Sequence, residues 1–360
     1  MTGLAFGRSF LPGPVDVHPD IRQAMLGPAL GWSGMGQLIE ELEAPLRRIF
    51  GSVRPVLIGT CSGTGFMEAA VRNGVRDRML AVVGGYFGER FARVAEACGR
   101  QVVRAIVPPG ETLTPAHLER FLQGPPVDAV SIVHSETSTG VLAPLAELAA
   151  VVRRRDDVVT LVDAVSSAGG VPISADLHHV DFIFTGTQKA LGLPPGLALG
   201  VASPRLMTRA HVATERGWYG DFEQLERATR EHFPIQTPAL PLLYALVEQM
   251  RRIEASGGLE ARFAHHSAMA RRVEQWADQE PGVTLMGRDG YRSPTVSVLR
   301  LPERVAAQEF IAAVASCGFQ IAAGLAPLTD RYIRIGHMGD LQLEHVEALL
   351  DVMSGVLRAV

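Results

Sequence analysis

Lysine occurs once in the 360 residues, at position 189, and arginine supplies the other 33 of the 34 basic residues. A compositional bias towards arginine is the simplest reason for this imbalance, yet the bias has left one lysine in place. Arginine cannot replace lysine as a nucleophile, because its guanidinium group stays protonated. A lysine amine with a tuned pKa can attack a carbonyl carbon and form an imine. Lys189 is therefore a candidate catalytic residue, and the alternative is a solvated lysine in a loop.

The position of Lys189 in the chain supports the chemical interpretation. An apolar run, Asp181–Phe184, precedes the lysine, and a loop rich in glycine and proline, Gly192–Gly196, follows it. This pattern predicts a strand with Lys189 just past its carboxyl end. In sheets of parallel strands, ligands bind outside the carboxyl ends of the strands, so the amine would face a ligand.

A carboxylate ends another apolar run, because Asp163 follows Asp157–Val162 and precedes Ala164 and Val165. A carboxylate at such a strand end is partly removed from water and needs a partner. The protonated nitrogen of a pyridine cofactor is one such partner, and pairing with it lets the ring withdraw electrons from a substrate. The alternative is that Asp163 caps the turn that follows.

The segment Gly59–Gly65 ends a predicted strand and opens a predicted helix. Its small residues allow backbone N–H groups to approach an anion, and the start of a helix favours a phosphate. The hydroxyl groups of Ser62 and Thr64 can add donors. No Gly-Lys pair follows, which distinguishes the segment from the phosphate loop of nucleotide-binding proteins. An ordinary capped turn is the alternative.

Three further residues are suited to a binding site. Phe87 follows the apolar run Met79–Gly84, where its ring could stack on a planar ligand or pack in the core. Thr137 lies in a polar cluster after an apolar run, a placement typical of site loops. Arg334 lies within the apolar run Tyr332–Ile335 and needs an anion, which is either a substrate carboxylate or an internal acid.

The elements that must position these residues alternate between strands and helices. Seven short apolar runs are predicted strands: Pro55–Thr60, Met79–Gly84, Gln101–Val107, Val127–His134, Asp157–Val162, Asp181–Phe184 and Leu197–Ser203. Amphipathic helical patterns separate many of them, which predicts an α/β fold with a mostly parallel central sheet covered on both faces. The predicted units are an N-terminal arm (1–15), a large domain (16–257) and a smaller C-terminal α+β domain (258–360).

Composition narrows the class of protein. The formal net charge is −4 and no basic block occurs, so no nucleic-acid partner is expected. The most apolar long stretch, Ile311–Leu328, is interrupted by Gln320, two glycines and Pro327, so no membrane span is expected. Three cysteines without metal-like spacing, and no export signal at the N-terminus, favour reduced thiols and a cytoplasmic protein.

Taken in order, these segments resemble the class V aminotransferases, most closely the alanine–glyoxylate and serine–pyruvate aminotransferase family. The landmarks are Pro-Gly-Pro-Val from Pro12, Ser-Gly-Thr-Gly from Ser62, His-Ser-Glu-Thr-Ser-Thr-Gly from His134, Val-Asp-Ala-Val-Ser-Ser from Val162, Thr-Gln-Lys-Ala-Leu from Thr187 and Arg-Ile-Gly from Arg334. The resemblance covers nearly the whole chain. It implies the fold type I architecture of pyridoxal-phosphate transferases (aspartate aminotransferase-like) and pyridoxal 5′-phosphate as cofactor. It also implies transfer of an amino group from a small amino acid, of the alanine or serine type, to glyoxylate or pyruvate.

The resemblance implies a role for each matching residue. Lys189 would hold the cofactor as an imine and move the proton, Asp163 would pair with the ring nitrogen, and Arg334 would bind the substrate carboxylate. The other contacts to the cofactor would come from Val165 and Phe87 at the ring, Thr137 at the ring oxygen, and Ser62, Gly63, Thr64 and Gln188 at the phosphate. A threonine of the neighbouring subunit also touches the phosphate in the family. Thr237 matches it, which implies a homodimer with shared active sites.

Two departures from the family pattern leave the substrate open. Gly31–Gly36 stands where a polar pair is usual, and Pro234 stands where a tyrosine is usual. The runner-up activities are a 2-aminoethylphosphonate-type transaminase and another class V enzyme, such as a lyase or a cysteine desulfurase. A desulfurase needs a nucleophilic cysteine on a mobile loop, whereas Cys317 lies at a predicted helix end. A regulatory protein that has lost catalysis is disfavoured, because the catalytic and carboxylate-binding positions are retained.

Replacement of Lys189 tests the central inference. The Lys189→Ala protein should fold, yet show neither the visible absorbance of lysine-bound pyridoxal phosphate nor an adduct after borohydride reduction, because the chain has no second lysine. Absorbance spectra and mass spectrometry of the reduced protein give the readout, with the wild-type protein as control. A normal adduct in the variant would exclude Lys189 as the attachment site.

Overall fold

The computed structural model describes residues 5–359, so the first four residues of the predicted arm and the last residue lie outside the described residues. The strands, in chain order, are β1 (Val56–Gly59), β2 (Arg78–Val83), β3 (Gln101–Ile106), β4 (Ala129–Val133), β5 (Ser135–Glu136), β6 (Val141–Leu142), β7 (Val159–Asp163), β8 (Phe182–Gly186), β9 (Ala198–Ala202), β10 (Thr284–Leu285), β11 (Val296–Arg300), β12 (Ala322–Ala323) and β13 (Tyr332–Gly336). The helices are α1 (Pro19–Ala24), α2 (Trp32–Phe50), α3 (Gly63–Gly74), α4 (Tyr86–Ala97), α5 (Pro115–Phe121), α6 (Leu145–Arg153), α7 (Pro204–Val212), α8 (Phe222–Arg230), α9 (Leu240–Ala255), α10 (Gly258–Gln279), α11 (Ala307–Ser316) and α12 (Leu343–Ala359).

Seven strands form a central sheet in the order β1-β9-β8-β7-β4-β2-β3. The pairs β2–β3, β2–β4, β4–β7 and β7–β8 are parallel. β9 runs antiparallel to both of its neighbours, β8 and β1, so β1 points the same way as β8. In this sheet β9 is thus the one reversed strand, and the carboxyl ends of the other six lie along one edge.

Both faces of the central sheet are covered by helices. Every residue of β7, β8 and β9 is buried, as expected of strands between two helical layers. One hydrophobic core contains residues of α2, α6 and α9, and another contains residues of α3, α4, α7 and α8. Successive residues of one strand, such as Leu80 and Ala81 of β2, fall in different cores because they face opposite sides of the sheet.

A smaller sheet follows the central one in the chain. Its strand order is β10-β11-β13-β12, and all of its pairings are antiparallel. A third hydrophobic core, which includes Phe310, Ile335 and Leu349, joins this sheet to α10, α11 and α12. The proposed domain boundary at Gly257 falls between α9 and α10, where a φ of +97° favours glycine.

The N-terminal segment packs on the smaller sheet. Phe10 is fully buried in the third core. Its N–H donates to the carbonyl of Gln320 at 2.7 Å, and the N–H of Gln320 donates to the carbonyl of Arg8 at 2.9 Å. The N–H of Gly336, at the end of β13, donates to the Phe10 carbonyl at 2.8 Å. Within the predicted arm, the segment around Phe10 therefore packs with the C-terminal unit, whereas the N–H of Val15 donates to the Gln188 carbonyl at 3.1 Å.

The strands predicted for the central sheet are all present, to within two residues at each end. In the smaller sheet, the apolar segment Phe319–Ala323 pairs with β13 only through Ala322–Ala323. The backbone of Gln320 bonds to the N-terminal segment instead. That partner lies some three hundred residues earlier in the chain, so the periodicity of a local segment does not reveal it.

Within residues 5–359, no helix is long and apolar enough to cross a bilayer. No group of three or more histidine, cysteine, aspartate or glutamate side chains in that range is arranged to hold a metal ion.

Candidate active site

The chain segments that follow β1, β2, β4, β7 and β8 meet at the shared carboxyl edge of the central sheet. They line a cavity of about 270 Å³. Nine of the residues predicted from the sequence line this cavity: Ser62, Gly63, Thr64, Phe87, Thr137, Asp163, Val165, Gln188 and Lys189. The other two, Thr237 and Arg334, lie outside its lining.

Lys189 lies in a tight turn that is held by its own backbone and by α10. The N–H of Gly192 donates to the Lys189 carbonyl at 2.9 Å, and the Thr187 hydroxyl donates to the Pro194 carbonyl at 2.7 Å. From α10, Arg262 donates to the carbonyl of the residue after Lys189 at 2.6 Å. A turn fixed in this way limits where the amine can lie, which a reaction at one atom requires.

The amine of Lys189 reaches the N-terminal segment, where Nζ donates a hydrogen bond to the carbonyl of Pro12. The next residue, Gly13, has a φ of +95°, and a β-carbon there would collide with the lysine side chain. Glycine is therefore required at position 13 by backbone conformation and by space. Gly13 and Pro14 of the Pro-Gly-Pro-Val landmark line the cavity, and Pro12 contacts Lys189 through its carbonyl.

Burial changes the acid–base behaviour of Lys189, which is 6% exposed. Burial, reinforced by the positive charge of Arg334, lowers the pKa of the amine to about 8, although the carboxylate of Asp163 opposes this shift. Only the neutral amine is a nucleophile. The lowered pKa therefore makes a larger fraction of the reactive form available near neutral pH.

Asp163 ends β7 and is 3% exposed. Its Oδ1 accepts a hydrogen bond from the N–H of Val165 at 2.7 Å, so the predicted capping of the turn is present. Burial raises the pKa of Asp163 to about 7. No arginine or lysine among the described residues forms a salt bridge with it, and a cationic group in the cavity would stabilise its ionised form.

The start of α3 lines one end of the cavity, and this end is suited to an anion. The Ser62 hydroxyl makes no capping hydrogen bond to the helix, so this donor is available. The first N–H groups of any helix also lack partners within the helix. A β-carbon at position 63 would lie 2.6 Å from Cγ2 of Val165, so glycine permits this close approach. These features together favour a phosphate at this position.

Glu136 positions Phe87, a role that the sequence did not suggest. Its Oε2 accepts from the N–H groups of Phe87 (3.0 Å) and Gly88 (3.1 Å). Its Oε1 accepts from the N–H (3.0 Å) and the hydroxyl (2.6 Å) of Ser138. Burial raises the pKa of Glu136, and these hydrogen bonds oppose the rise. The carboxylate thus caps the start of α4, whose own N-cap residue, Gly85, has no side chain.

Thr137 is connected to the smaller sheet through Ser166. The hydroxyl oxygens of Thr137 and Ser166 are 2.6 Å apart. The Thr295 hydroxyl, just before β11, donates to the Ser166 carbonyl at 2.6 Å. All three residues are buried. The orientation of Thr137 therefore depends on both sheets.

Arg334 lies on β13, close enough to the cavity for its charge to lower the pKa of Lys189. Its Nε donates to the Ala323 carbonyl at 2.8 Å. Within residues 5–359 no carboxylate forms a salt bridge with Arg334, so an internal acid does not account for its burial. Burial lowers the pKa of the guanidinium, and Glu136 opposes the shift. Its two terminal nitrogens are suited to a two-point contact with an anion.

Thr237 precedes α9 and is exposed, and an exposed aromatic pair lies nearby in the chain. Four residues earlier, Phe233 stacks on Trp32, with ring centroids 5.4 Å apart. Trp32 is 45% exposed and Phe233 is 51% exposed. Trp32 belongs to the first departure from the family pattern, and Phe233 is adjacent to Pro234, the second. The two departures are therefore brought close together by the contact between Trp32 and Phe233, and exposed aromatic residues of this kind are enriched in protein interfaces.

Arg90 also lines the cavity, although sequence reasoning missed it. It follows Phe87 by three positions on α4, so the two side chains share one face of the helix. A search for helical neighbours of the predicted ring-contacting residue would have found it.

This chain belongs to the class V aminotransferases, because the family model described as Aminotransferase class-V matches residues 67–341. An uncharacterised aminotransferase of Methanocaldococcus jannaschii is 31% identical over 97% of this chain and 92% of its own length. The serine–glyoxylate aminotransferase of Methylorubrum extorquens is 29% identical over 92% of this chain and 86% of its own length.

A solved structure gives the same result for the fold. The alanine–glyoxylate aminotransferase from Nostoc sp. has a TM-score of 0.92 and 29% identity, and the match covers 99% of this chain and 97% of that chain. The predicted family, the fold type I architecture and the class of pyridoxal-phosphate-dependent aminotransferases are confirmed.

The residues of the cavity fit pyridoxal phosphate, the cofactor on which this family depends. The amine of Lys189 could form an imine with the aldehyde of the cofactor. The carboxylate of Asp163 could pair with its protonated ring nitrogen, and the start of α3 could bind its phosphate. Among the described residues, Oε1 of Gln188 is buried without a hydrogen-bond partner, which leaves an amide of the lining free to contact a ligand.

Selective labelling of the one lysine tests its acid–base behaviour. In the apoprotein, acetylation of Lys189 by acetic anhydride should rise with pH around a midpoint near 8, because burial and Arg334 disfavour the charged amine. Arg334→Gln should move the midpoint upward, since it removes a neighbouring positive charge, while Arg331→Gln, three residues earlier and exposed, should not. Mass spectrometry of the lysine-containing peptide gives the readout. A midpoint at the ordinary value of 10.5 in folded protein would contradict the assignment.

Proposed function

We propose that this protein transfers the amino group of a small amino acid, of the alanine or serine type, to glyoxylate or pyruvate. The observation that carries the proposal is the buried pair Lys189 and Asp163 in one cavity, with the guanidinium of Arg334 nearby. Relatives named for serine and alanine as donors share glyoxylate as the acceptor in their names, which supports small substrates. The two relatives are named for different donors although each is 29% identical to this chain, so an experiment must identify the donor.

The cofactor in this proposal is pyridoxal 5′-phosphate, which supplies an aldehyde and a ring that withdraws electrons from the substrate carbon. Asp163 holds a proton on the ring nitrogen, and the pKa of Asp163 falls when that positive charge lies beside it. The other contacts are Val165 and Phe87 to the ring, Thr137 to the ring oxygen, and Ser62, Gly63, Thr64 and Gln188 to the phosphate.

Lys189 acts as the base in this proposal. Its Nζ, whose lowered pKa increases the neutral fraction, removes the α-proton of the bound amino acid. The carbonyl of Pro12 accepts a hydrogen bond from Nζ and so orients it. The hydrogen bond from Arg262 to the carbonyl of the residue after Lys189 stabilises the turn and so supports this orientation.

Arg334 binds the α-carboxylate of the substrate. Its Nε is occupied by the Ala323 carbonyl, which leaves the two terminal nitrogens for the two carboxylate oxygens. Lysine carries the same charge but cannot make this two-point contact. The preference of the site for amino and oxo acids over simple amines rests on this residue.

A homodimer with shared active sites accounts for Thr237, which does not line the cavity of its own chain. Phe233, four residues before Thr237, stacks on Trp32 as an exposed pair, and burial of this pair against a second subunit would favour association. Thr237 would then contact the phosphate bound by the partner.

The positions of the three cysteines support a transaminase over the desulfurase alternative, and we propose that the enzyme is cytoplasmic. Cys61, Cys98 and Cys317 are free thiols. None of them lines the cavity, and Cys317 is exposed at the end of α11. A desulfurase would need one of these thiols beside the bound substrate.

A donor half-reaction tests the proposed activity and the role of Arg334. Amino acids are added singly to the pyridoxal-phosphate-loaded protein, and loss of its visible absorbance identifies the donor. We expect alanine or serine to react, and Arg334→Lys to raise KM for amino acids by about 10- to 100-fold, because the two-point contact is lost. A simple amine without a carboxylate should be much less affected, and Arg331→Lys should behave as wild type.

Equal losses for amine and amino acid in Arg334→Lys would make Arg334 a structural residue. A wild-type preference for 2-aminoethylphosphonate over every amino acid would favour the runner-up activity instead.

Mixed dimers test the sharing of sites. When Lys189→Ala and Thr237→Ala proteins exchange subunits, the heterodimer has one site with both defects and one intact site, so activity at limiting pyridoxal phosphate should partly return. Each variant mixed with itself serves as control. Absence of recovery after subunit exchange has been verified by mass spectrometry would contradict the assignment of Thr237 to the partner's site.

A further inference from the structure

Arg90 is a cationic residue of the cavity for which the proposed function has no role. It lies on α4, is half-buried and lines the cavity. Its neighbour Glu89 is already paired with Arg93 at 3.1 Å and with Arg104 at 3.0 Å. Within residues 5–359 no carboxylate lies at salt-bridge distance from Arg90. An arginine that faces a cavity without an acid is a candidate receptor for an incoming anion.

Two aromatic rings hold the guanidinium of Arg90 in place. Its Cζ lies 4.9 Å from the ring centroid of Phe87 and 5.0 Å from that of Tyr86, distances typical of cation–π contacts. One terminal nitrogen, Nη2, also donates to the Tyr86 hydroxyl at 3.3 Å. The start of this helix is itself fixed by Glu136. The side chain is therefore positioned before any ligand binds, and few of its donors are used.

The other terminal nitrogen of Arg90 lies at the start of α3. Nη1 is 3.5 Å from Oγ1 of Thr64, which is at the weak limit for a hydrogen bond. Thr64 is the second residue of α3, at the helix end that the proposed function assigns to the cofactor phosphate. A phosphate oxygen bound by Thr64 would be within reach of Arg90, and it would replace a weak contact with a charge-assisted one.

Arg90 differs from the other two cations at the site, because the proposed function leaves it available to balance the negative charge of the phosphate. Lys189 reacts with the aldehyde and Arg334 binds the substrate carboxylate in the proposed function. A phosphate monoester carries a charge of about −1.5 to −2 at pH 7, whereas the start of a helix contributes roughly +0.5. The hydroxyl and amide donors around the phosphate are neutral. Among the described residues that line the cavity, Arg90 is the cation left to balance this charge.

We propose that Arg90 binds the phosphate group of the cofactor and makes the site select pyridoxal phosphate over unphosphorylated pyridoxal. This inference rests on the proposed function, because it takes the cavity to be the cofactor site. The contact with Thr64 favours the phosphate over a distal anionic group of the substrate, and the experiment separates the two.

Binding of pyridoxal phosphate and of pyridoxal to the apoprotein tests the proposal. Both ligands carry the same aldehyde, so the ratio of their Kd values isolates the contacts to the phosphate. In Arg90→Gln we expect Kd for pyridoxal phosphate to rise about 10- to 100-fold and Kd for pyridoxal to change less than about threefold. Arg90→Lys keeps the charge and should recover part of the loss. Arg93→Gln is the matched control, because this residue lies on the same helix and its side chain is 74% exposed.

Two results would overturn the role of Arg90. If Arg90→Gln raised the Kd values of pyridoxal phosphate and pyridoxal by the same factor, the arginine would only support the aromatic cluster. An unchanged Kd for pyridoxal phosphate, with a raised KM for a dicarboxylic donor, would assign Arg90 to the substrate. If Arg90→Gln is unstable, Arg90→Met keeps an apolar chain over the rings and carries the same expectation.

Failure of the proposed function gives a different pattern. If the wild-type protein binds pyridoxal phosphate but no donor reacts with it, the proposed function fails and the comparison of Arg90 variants still decides the phosphate contact. If the wild-type protein binds no pyridoxal phosphate, both proposals fail.

Discussion

A primary amine and a carboxylate are buried together at the carboxyl edge of a mostly parallel sheet, and the rest of the site is arranged around this pair. Removal from water disfavours the charged form of each group, so the pKa of Lys189 falls to about 8 and that of Asp163 rises to about 7. The strands themselves are apolar and end at this edge, where loops can supply polar contacts. A ligand with an aldehyde and a basic ring nitrogen offers a partner to each group.

The central sheet alone does not complete the site. The carbonyl of Pro12 in the N-terminal segment orients the amine, and Arg262 of α10 holds the turn behind it. Two residues of the smaller sheet and its border also contribute. Thr295, just before β11, donates to the Ser166 carbonyl, and Arg334 of β13 lies close enough to Lys189 to lower its pKa. Because Phe10 is buried in the core of the smaller sheet, the packing of that core also determines where Pro12 lies. Stability of the C-terminal unit and competence of the site are therefore coupled.

Much of the fold and the reactive centre could be predicted from local sequence. Each strand of the central sheet is a short apolar run, and a strand buried on both faces produces such a run wherever it stands in the sheet. The polar or small residues that follow these runs lie at the carboxyl edge. For this reason Lys189, Asp163 and the Ser62–Gly65 segment could be assigned from residue type and position, whereas Val165 and Gln188 were assigned only through the family resemblance; all of the named residues except Gly65 line one cavity.

The remaining features depend on contacts between residues far apart in the chain. Glu136 caps α4 across 49 positions, and Arg90 approaches Thr64 across 26, so neither contact leaves a periodic signal. The pKa of Lys189 is likewise decided by burial, which exists only after the layers pack. Local sequence determined which residues are reactive and which segments are strands, because both follow from side-chain type and hydrophobic period. The tertiary structure alone decided which charges meet, because burial and proximity arise only when distant segments pack together.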